Sequence, residues 1–287
     1  MKEKIGWQSD YADRLPWMVE GADIEIIPFP SVLEKLNDFP EGSRIAMTST
    51  RTNGVESNLK FIPLLTELGL TVIPHLAARS IHDINELKKI SEVLEKNNVE
   101  EVFVIGGNSK KPIGKYADSI TLLSDLLDMN YMIKTVNVAG YPEGHPKINN
   151  ETLIASLKAK IEIAKRYGVE VHINSQACYD PKKILSWINS LQLQRIYTPI
   201  SLGIPTPTDP IKLAKISREI GVGDSINFLT AVGIDSALNS MLYDPTELLE
   251  SLGGQPEAES IYGLHLFTFN NLATTVEWQK SFKPVHN

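Results

Sequence analysis

Eight short apolar runs punctuate the chain: DIEIIPF (23–29), RIAMTS (44–49), TVIPHLA (71–77), EVFVIGG (101–107), TVNVAG (135–140), VEVHIN (169–174), RIYTPIS (195–201) and GLHLFTFN (263–270). Most are continuously apolar rather than alternating, the pattern of parallel strands covered on both faces. Longer segments of helical period lie between them. INELKKISEVLEKN (84–97) brings Leu87, Ile90, Val93 and Leu94 to one face. ETLIASLKAKIEIAKRYG (151–168) aligns Leu153, Leu157, Ile161 and Ala164 and closes on Gly168, a residue suited to the left-handed turn after a helix. DPKKILSWINSL (180–191) and DPIKLAKISREIG (209–221) both open on an Asp cap followed by Pro in the first turn.

Eight strands with intervening helices predict a single (β/α)8 TIM barrel over residues 1–287, with 1–21 as an N-terminal extension. A doubly wound open sheet is the alternative, because periodicity does not show closure. The proline-rich GIPTPTDP (203–210) reads as a loop between a strand and a helix. No long linker, solenoid repeat or low-complexity tract interrupts the pattern.

Composition narrows the function classes. The 287 residues are 42% hydrophobic and 22% charged, ordinary for a globular chain. The net charge of −7 and the absence of a basic block longer than a pair argue against a nucleic-acid or anionic-membrane surface. Cys178 is the one cysteine, which fits a reducing compartment. The start MKEKIGWQSDYADRLPW lacks the apolar core of a secretory signal, and no run approaches the ~20 apolar residues of a membrane span. A soluble, cytoplasmic protein is expected, with its oligomeric state open and a homo-oligomer included.

In a parallel barrel the carboxyl ends of the strands carry the chemistry. Those ends hold Thr48 and Ser49, His75, Gly106-Gly107-Asn108, Tyr141 with Glu143 and His145, Asn174-Ser175-Gln176, and Thr268 with Asn270; Glu25 lies inside the first apolar run. Each has a structural reading too. Glu25 is equally explained by a buried basic partner, His75 by a satisfied core histidine, Gln176 by a bond to loop backbone. The shared end of one barrel raises the functional reading. The six histidines lack HxH or HxxxH spacing and Cys178 has no partner cysteine, so no metal site is expected. No G-x-S-x-G, Walker lysine or full G-x-G-x-x-G after a strand is present.

The pieces IEIIPFP, PHLAAR, VAGYPEGHP, SQACYD and GLHLFTFN follow in the order seen in the methylenetetrahydrofolate reductases, and the chain resembles that family from about residue 22 to 275. The resemblance implies a (β/α)8 barrel that reduces the methylene group of 5,10-methylenetetrahydrofolate to methyl, with FAD as cofactor and NADH or NADPH as reductant. By the same resemblance Glu25 matches the acid that protonates the folate as its five-membered ring opens. A carboxyl in apolar surroundings suits such a role. Thr48, His75, Ala139, Tyr141, His145 and Lys160 match cofactor-side positions, and Gln176 matches the residue that reads the pterin ring.

One departure matters most. Where the common flavin-binding form has an Arg-Gly-Asp-like turn after the fourth strand, this chain has Gly106-Gly107-Asn108. Those three residues occupy a cofactor-binding turn, and Asn108 also faces the substrate side in the family's pattern. A phosphate-pairing cation is missing there. FAD is therefore expected to bind weakly or not at all, leaving a direct nicotinamide route open. The rival readings are a folate-dependent C1-transfer or demethylation enzyme and a non-catalytic folate- or flavin-binding accessory protein.

Overall fold

The computed structural model describes residues 10–49, 55–220 and 242–282. The first nine residues of the expected extension, Gly221 at the end of the 209–221 helix and His286 lie outside the described residues. Eight parallel strands form a closed barrel in chain order: β1 Asp23–Ile26, β2 Arg44–Met47, β3 Thr71–Ala77, β4 Glu101–Ile105, β5 Thr135–Gly140, β6 Glu170–Ser175, β7 Ile200–Pro205 and β8 Ile261–Phe267. Closure decides between the two architectures left open by periodicity: the chain is a (β/α)8 barrel. Among the described residues the helices are α1 Tyr11–Glu20, α2 Pro30–Leu33, α3 Val55–Leu59, α4 Ile62–Glu67, α5 Ile84–Lys96, α6 Ser119–Met129, α7 Asn150–Arg166, α8 Pro181–Leu193, α9 Pro210–Ile220, α10 Thr246–Ser251 and α11 Leu272–Ser281. No helix among the described residues is long and apolar enough to cross a membrane.

The helices start and stop where their side chains dictate. Asp83 caps α5 by accepting from the Asn85 and Glu86 amides at 2.8 and 3.0 Å. Asp118 caps α6 in the same way, and Asp180 caps α8 through the Lys182 amide at 2.9 Å. After α7, Gly168 turns left-handed at φ +69°, the conformation that a glycine adopts without steric penalty. Leu87, Ile90 and Leu94 of α5 are buried, as their spacing predicts. Each fully buried side chain of this size stabilises by about 1.5–3 kcal/mol.

The seventh strand corrects the sequence reading. It runs over Ile200–Pro205, not 195–201, so Gly203, Ile204 and Pro205 belong to a strand rather than to a loop. Arg195 has φ +60° and ends the preceding turn. ISLGIP is buried throughout, whereas Tyr197 is exposed. Gly203 is required there: a Cβ on it would lie 2.1 Å from the Ser175 carbonyl oxygen. Other strands differ from expectation by their ends alone. β1 stops short of Ile27-Pro28-Phe29, β2 short of Thr48-Ser49 and β4 short of Gly106-Gly107; β6 is shifted by one residue to 170–175, and β8 starts two residues earlier and stops at Phe267.

The chain falls into two compact units. The first comprises Asp23–Gly140 and Lys147–Asn174. Its strand registers pair Asp23 with Arg44, Glu25 with Ala46, Ala46 with Ile73, His75 with Phe103 and Phe103 with Asn137. These residues share one face by the two-residue period of a strand. That face is concave, because side chains on it meet across intervening strands. Arg44 on β2 reaches Glu101 on β4 at 2.8 Å, and its Nε donates to Asp23 at 2.6 Å. Asn137 on β5 also donates to Glu101, at 2.8 Å. Above this charged floor, Ala46, Ile73 and Phe103 pack together with Ile105 and Ala139 against them. The opposite face is aliphatic: Ile24, Ile26, Ile45, Met47, Val72, Leu76, Val102, Val104, Val136 and Val138 are all buried.

The second unit comprises Met1–Ala22, Tyr141–Pro146 and Ser175–Asn287. The expected extension contributes a helix here. Arg14 of α1 donates to the Ile261 carbonyl at 2.8 Å and pairs with Glu259 at 2.9 Å. Gln279 of α11 donates to the Val19 carbonyl at 2.7 Å, closing α1 against α11.

Burial opposes the Arg44 charge, but the adjoining Asp23 and Glu101 carboxylates outweigh it and hold its pKa above the ordinary arginine value. Arg44→Leu leaves both carboxylates facing an apolar side chain. Denaturant unfolding is expected to show a loss of about 3 kcal/mol, the low end for breaking a buried ion pair because Arg44 is partly exposed. A loss below about 1 kcal/mol would mean the network contributes no more than a surface pair.

Candidate active site

Two positions above Asp23, the period of the strand brings Glu25 to the same inward face. The Glu25 side chain is mostly buried, and its Oε2 lies 4.0 Å from Nδ1 of His75, which is 3% exposed. The His75 ring meets Phe103 edge-on, with centroids 4.6 Å apart. An acid and an imidazole thus adjoin in an apolar cage formed by Ala46, Ile73 and Phe103. Such a pair can hold a proton and deliver it to a ligand atom entering from the carboxyl end.

The carboxyl ends of β2 and β3 are tied together. The Thr48 amide donates to the Ile26 carbonyl at 2.9 Å, and Ser49 Oγ donates to the His75 carbonyl at 3.1 Å. Asn58, buried on α3, donates to the Thr48 carbonyl at 3.0 Å. Asn58 escaped the sequence reading because it follows the apolar run by nine residues and fits no pattern. After β4, Gly107 turns left-handed at φ +85°, and a Cβ there would lie 3.2 Å from the Ala77 Cβ. Asn108 is exposed and Gly106 partly buried. Ala139 packs on the Ala46–Phe103 cluster.

Lys160 is an anomaly. It is 5% exposed on α7, yet no described residue hydrogen-bonds or ion-pairs with its ammonium group. Burial pulls its pKa down to about 8, with Asp118 acting weakly in the opposite sense. A buried cation without a close partner fits an anionic ligand group, which would supply the missing counter-charge.

In the second unit, the YPEG turn answers for the prolines and glycines after β5. The Gly144 amide donates to the Tyr141 carbonyl at 3.0 Å, closing a turn with Pro142 at its second position and Gly144 at φ +75°. The turn brings Tyr141 and His145 edge to face, centroids 5.3 Å apart. Burial raises the Tyr141 pKa, so its hydroxyl stays a donor. After β6, Gln176 is partly buried and its Oε1 accepts from the Ala177 amide at 2.9 Å. The carbonyl oxygen retains a second lone pair and the amide nitrogen its two hydrogens. Next to it Ala177, Tyr179 and Leu213 form a cluster against which Tyr243, Phe267 and Phe269 pack. Tyr179 donates to or accepts from Ser217 at 2.8 Å. The aromatic cluster is partly visible in SQACYD and in the Phe-rich end of β8; Tyr243 carries no such signal. His265, buried on β8, meets Phe267 edge-on at 5.1 Å.

Glu25, Thr48, His75, the Gly106–Asn108 turn, Ala139 and Lys160 therefore belong to the first unit, whereas Tyr141, His145 and Gln176 belong to the second. The architecture is that of the (β/α)8 barrels, with polar residues gathered at strand ends. Residues 37–228, more than half of the chain, match methylenetetrahydrofolate reductase. The chain belongs to the methylenetetrahydrofolate reductase family. Among solved structures, a protein described as a lyase/mutase from Burkholderia cenocepacia J2315 is similar at 14% identity and a TM-score of 0.44, covering 69% of this chain and 75% of that one. That distant likeness assigns no function.

The Lys160 environment makes a test independent of activity. Below pH 8 the amine is protonated in both folded and unfolded chains, and the fold bears the full penalty of burying the charge. Between about pH 8 and the ordinary lysine value of 10.5, the folded state releases its proton first, so stability rises with pH. Lys160→Met is expected to be more stable than wild type at pH 7 by at most roughly 3 kcal/mol and to lack that rise. Thermal unfolding of both proteins from pH 7 to 11 reads this out. Parallel curves would show that the Lys160 ammonium is solvated in the folded protein.

Proposed function

We propose that the chain reduces 5,10-methylenetetrahydrofolate to 5-methyltetrahydrofolate with NADH or NADPH. The observation that carries the reading is Glu25 beside His75 on the inward face of the barrel, in a chain of this family. Glu25 donates a proton to N10 as the bond from the methylene carbon to N10 breaks, its electron pair remaining on that nitrogen. The methylene carbon is left as an iminium with N5. A hydride from the reduced nicotinamide then adds to that carbon, giving the methyl group and the oxidised nicotinamide. Atoms and electrons balance with one proton and one hydride consumed.

His75, 4.0 Å from the Glu25 carboxyl and packed edge-on against Phe103, is placed to share a proton with it as the ligand binds. Gln176 addresses the donor–acceptor edge of the pterin through its free amide hydrogens and remaining lone pair. Asn108, exposed in the turn after β4, offers a second neutral amide and matches a substrate-side position of the family. The buried Lys160 is suited to a phosphate, and by the family resemblance Thr48 and Ala139 in its own unit, and separately Tyr141 and His145 in the other, match positions that would contact FAD. FAD, when bound, supplies a two-electron relay between nicotinamide and folate. The Gly106-Gly107-Asn108 turn contributes no cation to that site. Loss of one charge-assisted phosphate contact corresponds to roughly 10- to 100-fold in affinity. A weakened FAD site would leave the nicotinamide free to reach the folate directly, and a flavin-free reduction is consistent with these residues.

Glu25→Gln is nearly isosteric but cannot act as an acid. It is expected to fold and to bind 5-methyltetrahydrofolate as wild type does, while turnover with methylenetetrahydrofolate falls about 10²–10⁴-fold. Calorimetric titration and steady-state assays with NADH and NADPH measure both. Near-wild-type turnover would make Glu25 structural and remove the proposed acid.

A further inference from the structure

The loop from Gly106 to Ala117 is locked to the segment that follows β3, and the lock centres on Arg79. Arg79 lies in the 3₁₀ turn Ala78–Ser80, at the carboxyl end of β3. Its amide donates to the Gly106 carbonyl at 3.0 Å, and its carbonyl accepts from the Ile113 amide at 3.1 Å. Its guanidinium donates from Nε to the Ala117 carbonyl at 2.8 Å and from Nη1 to the Ser109 carbonyl at 3.2 Å. One residue thus touches the loop at four points, including both ends of the excursion between residues 109 and 117.

The fit around this clamp is close. Gly114 passes against the His82 carbonyl so tightly that a Cβ would lie 1.8 Å from its oxygen, and the Lys115 amide donates to that same oxygen at 2.7 Å. Beyond it, the fully buried Tyr116 donates to Asp125 at 3.0 Å, and Lys115 pairs with Asp125 at 2.6 Å. The return of the loop therefore has its own anchor. The outgoing half, from Gly106 to Ile113, is held chiefly by Arg79. That half contains the turn where the family pattern has a cation and this chain has none.

We propose that Arg79 is a positioning residue: it fixes the path of the Gly106–Ile113 segment and so presents Gly106-Gly107-Asn108 to the ligand. This rests on the functional reading above for the nature of the ligand, but not for the clamp. A planar guanidinium suits the task, because its fork can bond two carbonyls in divergent directions at once. A lysine ammonium on a flexible stem does not hold both in a fixed geometry.

The test has a structural and a binding arm, on the full chain. In Arg79→Ala, trypsin is expected to cut after Lys110 about tenfold faster than in wild type. The Ile113 amide should exchange with deuterium correspondingly faster, while the Lys115 amide stays protected by the Tyr116 anchor. Arg79→Lys should behave like Arg79→Ala. FAD, NADH and 5-methyltetrahydrofolate are then titrated separately. The ligand weakened by Asn108→Ala is expected to be weakened about tenfold by Arg79→Ala, and the double variant to be no weaker than the weaker of the two single variants. Unchanged cleavage and exchange would overturn the clamp. Full rescue by Arg79→Lys would overturn the fork geometry, and a loosened loop with all three affinities unchanged would overturn the positioning role. If wild type binds none of the three ligands, the folate reading fails, while cleavage and exchange still decide whether Arg79 holds the loop.

Discussion

The charged floor of the barrel is the constraint on which the candidate chemistry depends. Arg44 joins Asp23 on β1 and Glu101 on β4, and Glu101 in turn accepts from Asn137 on β5. Charges this enclosed are stable only with their partners in place. The network therefore pins the register of four strands at their amino ends. A slip of one residue in β1 would turn Asp23 out of the barrel and carry Glu25 with it. The position of the proposed acid is thus set by an ion pair two residues below it on the same strand.

Above the floor the interior changes character in layers. Ala46, Ile73 and Phe103 make an apolar collar, and Glu25 and His75 stand within it. At the strand ends the surroundings become polar and hydrogen-bonded: Asn58 with Thr48, Ser49 with His75, Arg79 with the Gly106 loop. Lys160 differs from all of these in lacking a close partner among the described residues, and the burial that lowers its pKa is a stability cost. In the proposed function that cost is offset when an anionic group binds.

Much of this was legible in the sequence. The apolar runs and the helical periods between them point to the barrel, and Asp180 and Gly168 mark helix ends that the structure reproduces. The strand ends gave the polar positions, because strands in this fold stop where backbone must turn toward a helix. Register was not legible: nothing in DIEIIPF says which face Glu25 takes until Asp23 is seen bonded to Arg44. Nor was the reach of β7, whose Gly203 and Pro205 look like loop residues but lie in a strand; Gly203 is there because the Ser175 backbone passes too close for a Cβ. Asn58 and Arg79 were missed for a common reason. Each acts on backbone carbonyls of a distant segment, a relation that leaves no periodic trace in the sequence.

In the proposed function this barrel moves a hydride onto a folate carbon. Its most direct test is to incubate the purified chain with 5,10-methylenetetrahydrofolate and either NADH or NADPH, with and without added FAD, and to quantify the folate products by mass spectrometry. The account expects 5-methyltetrahydrofolate to form in step with oxidised nicotinamide, one for one, with at least one of the two reductants. Binding of the folate without any methyl product under all of these conditions would contradict it.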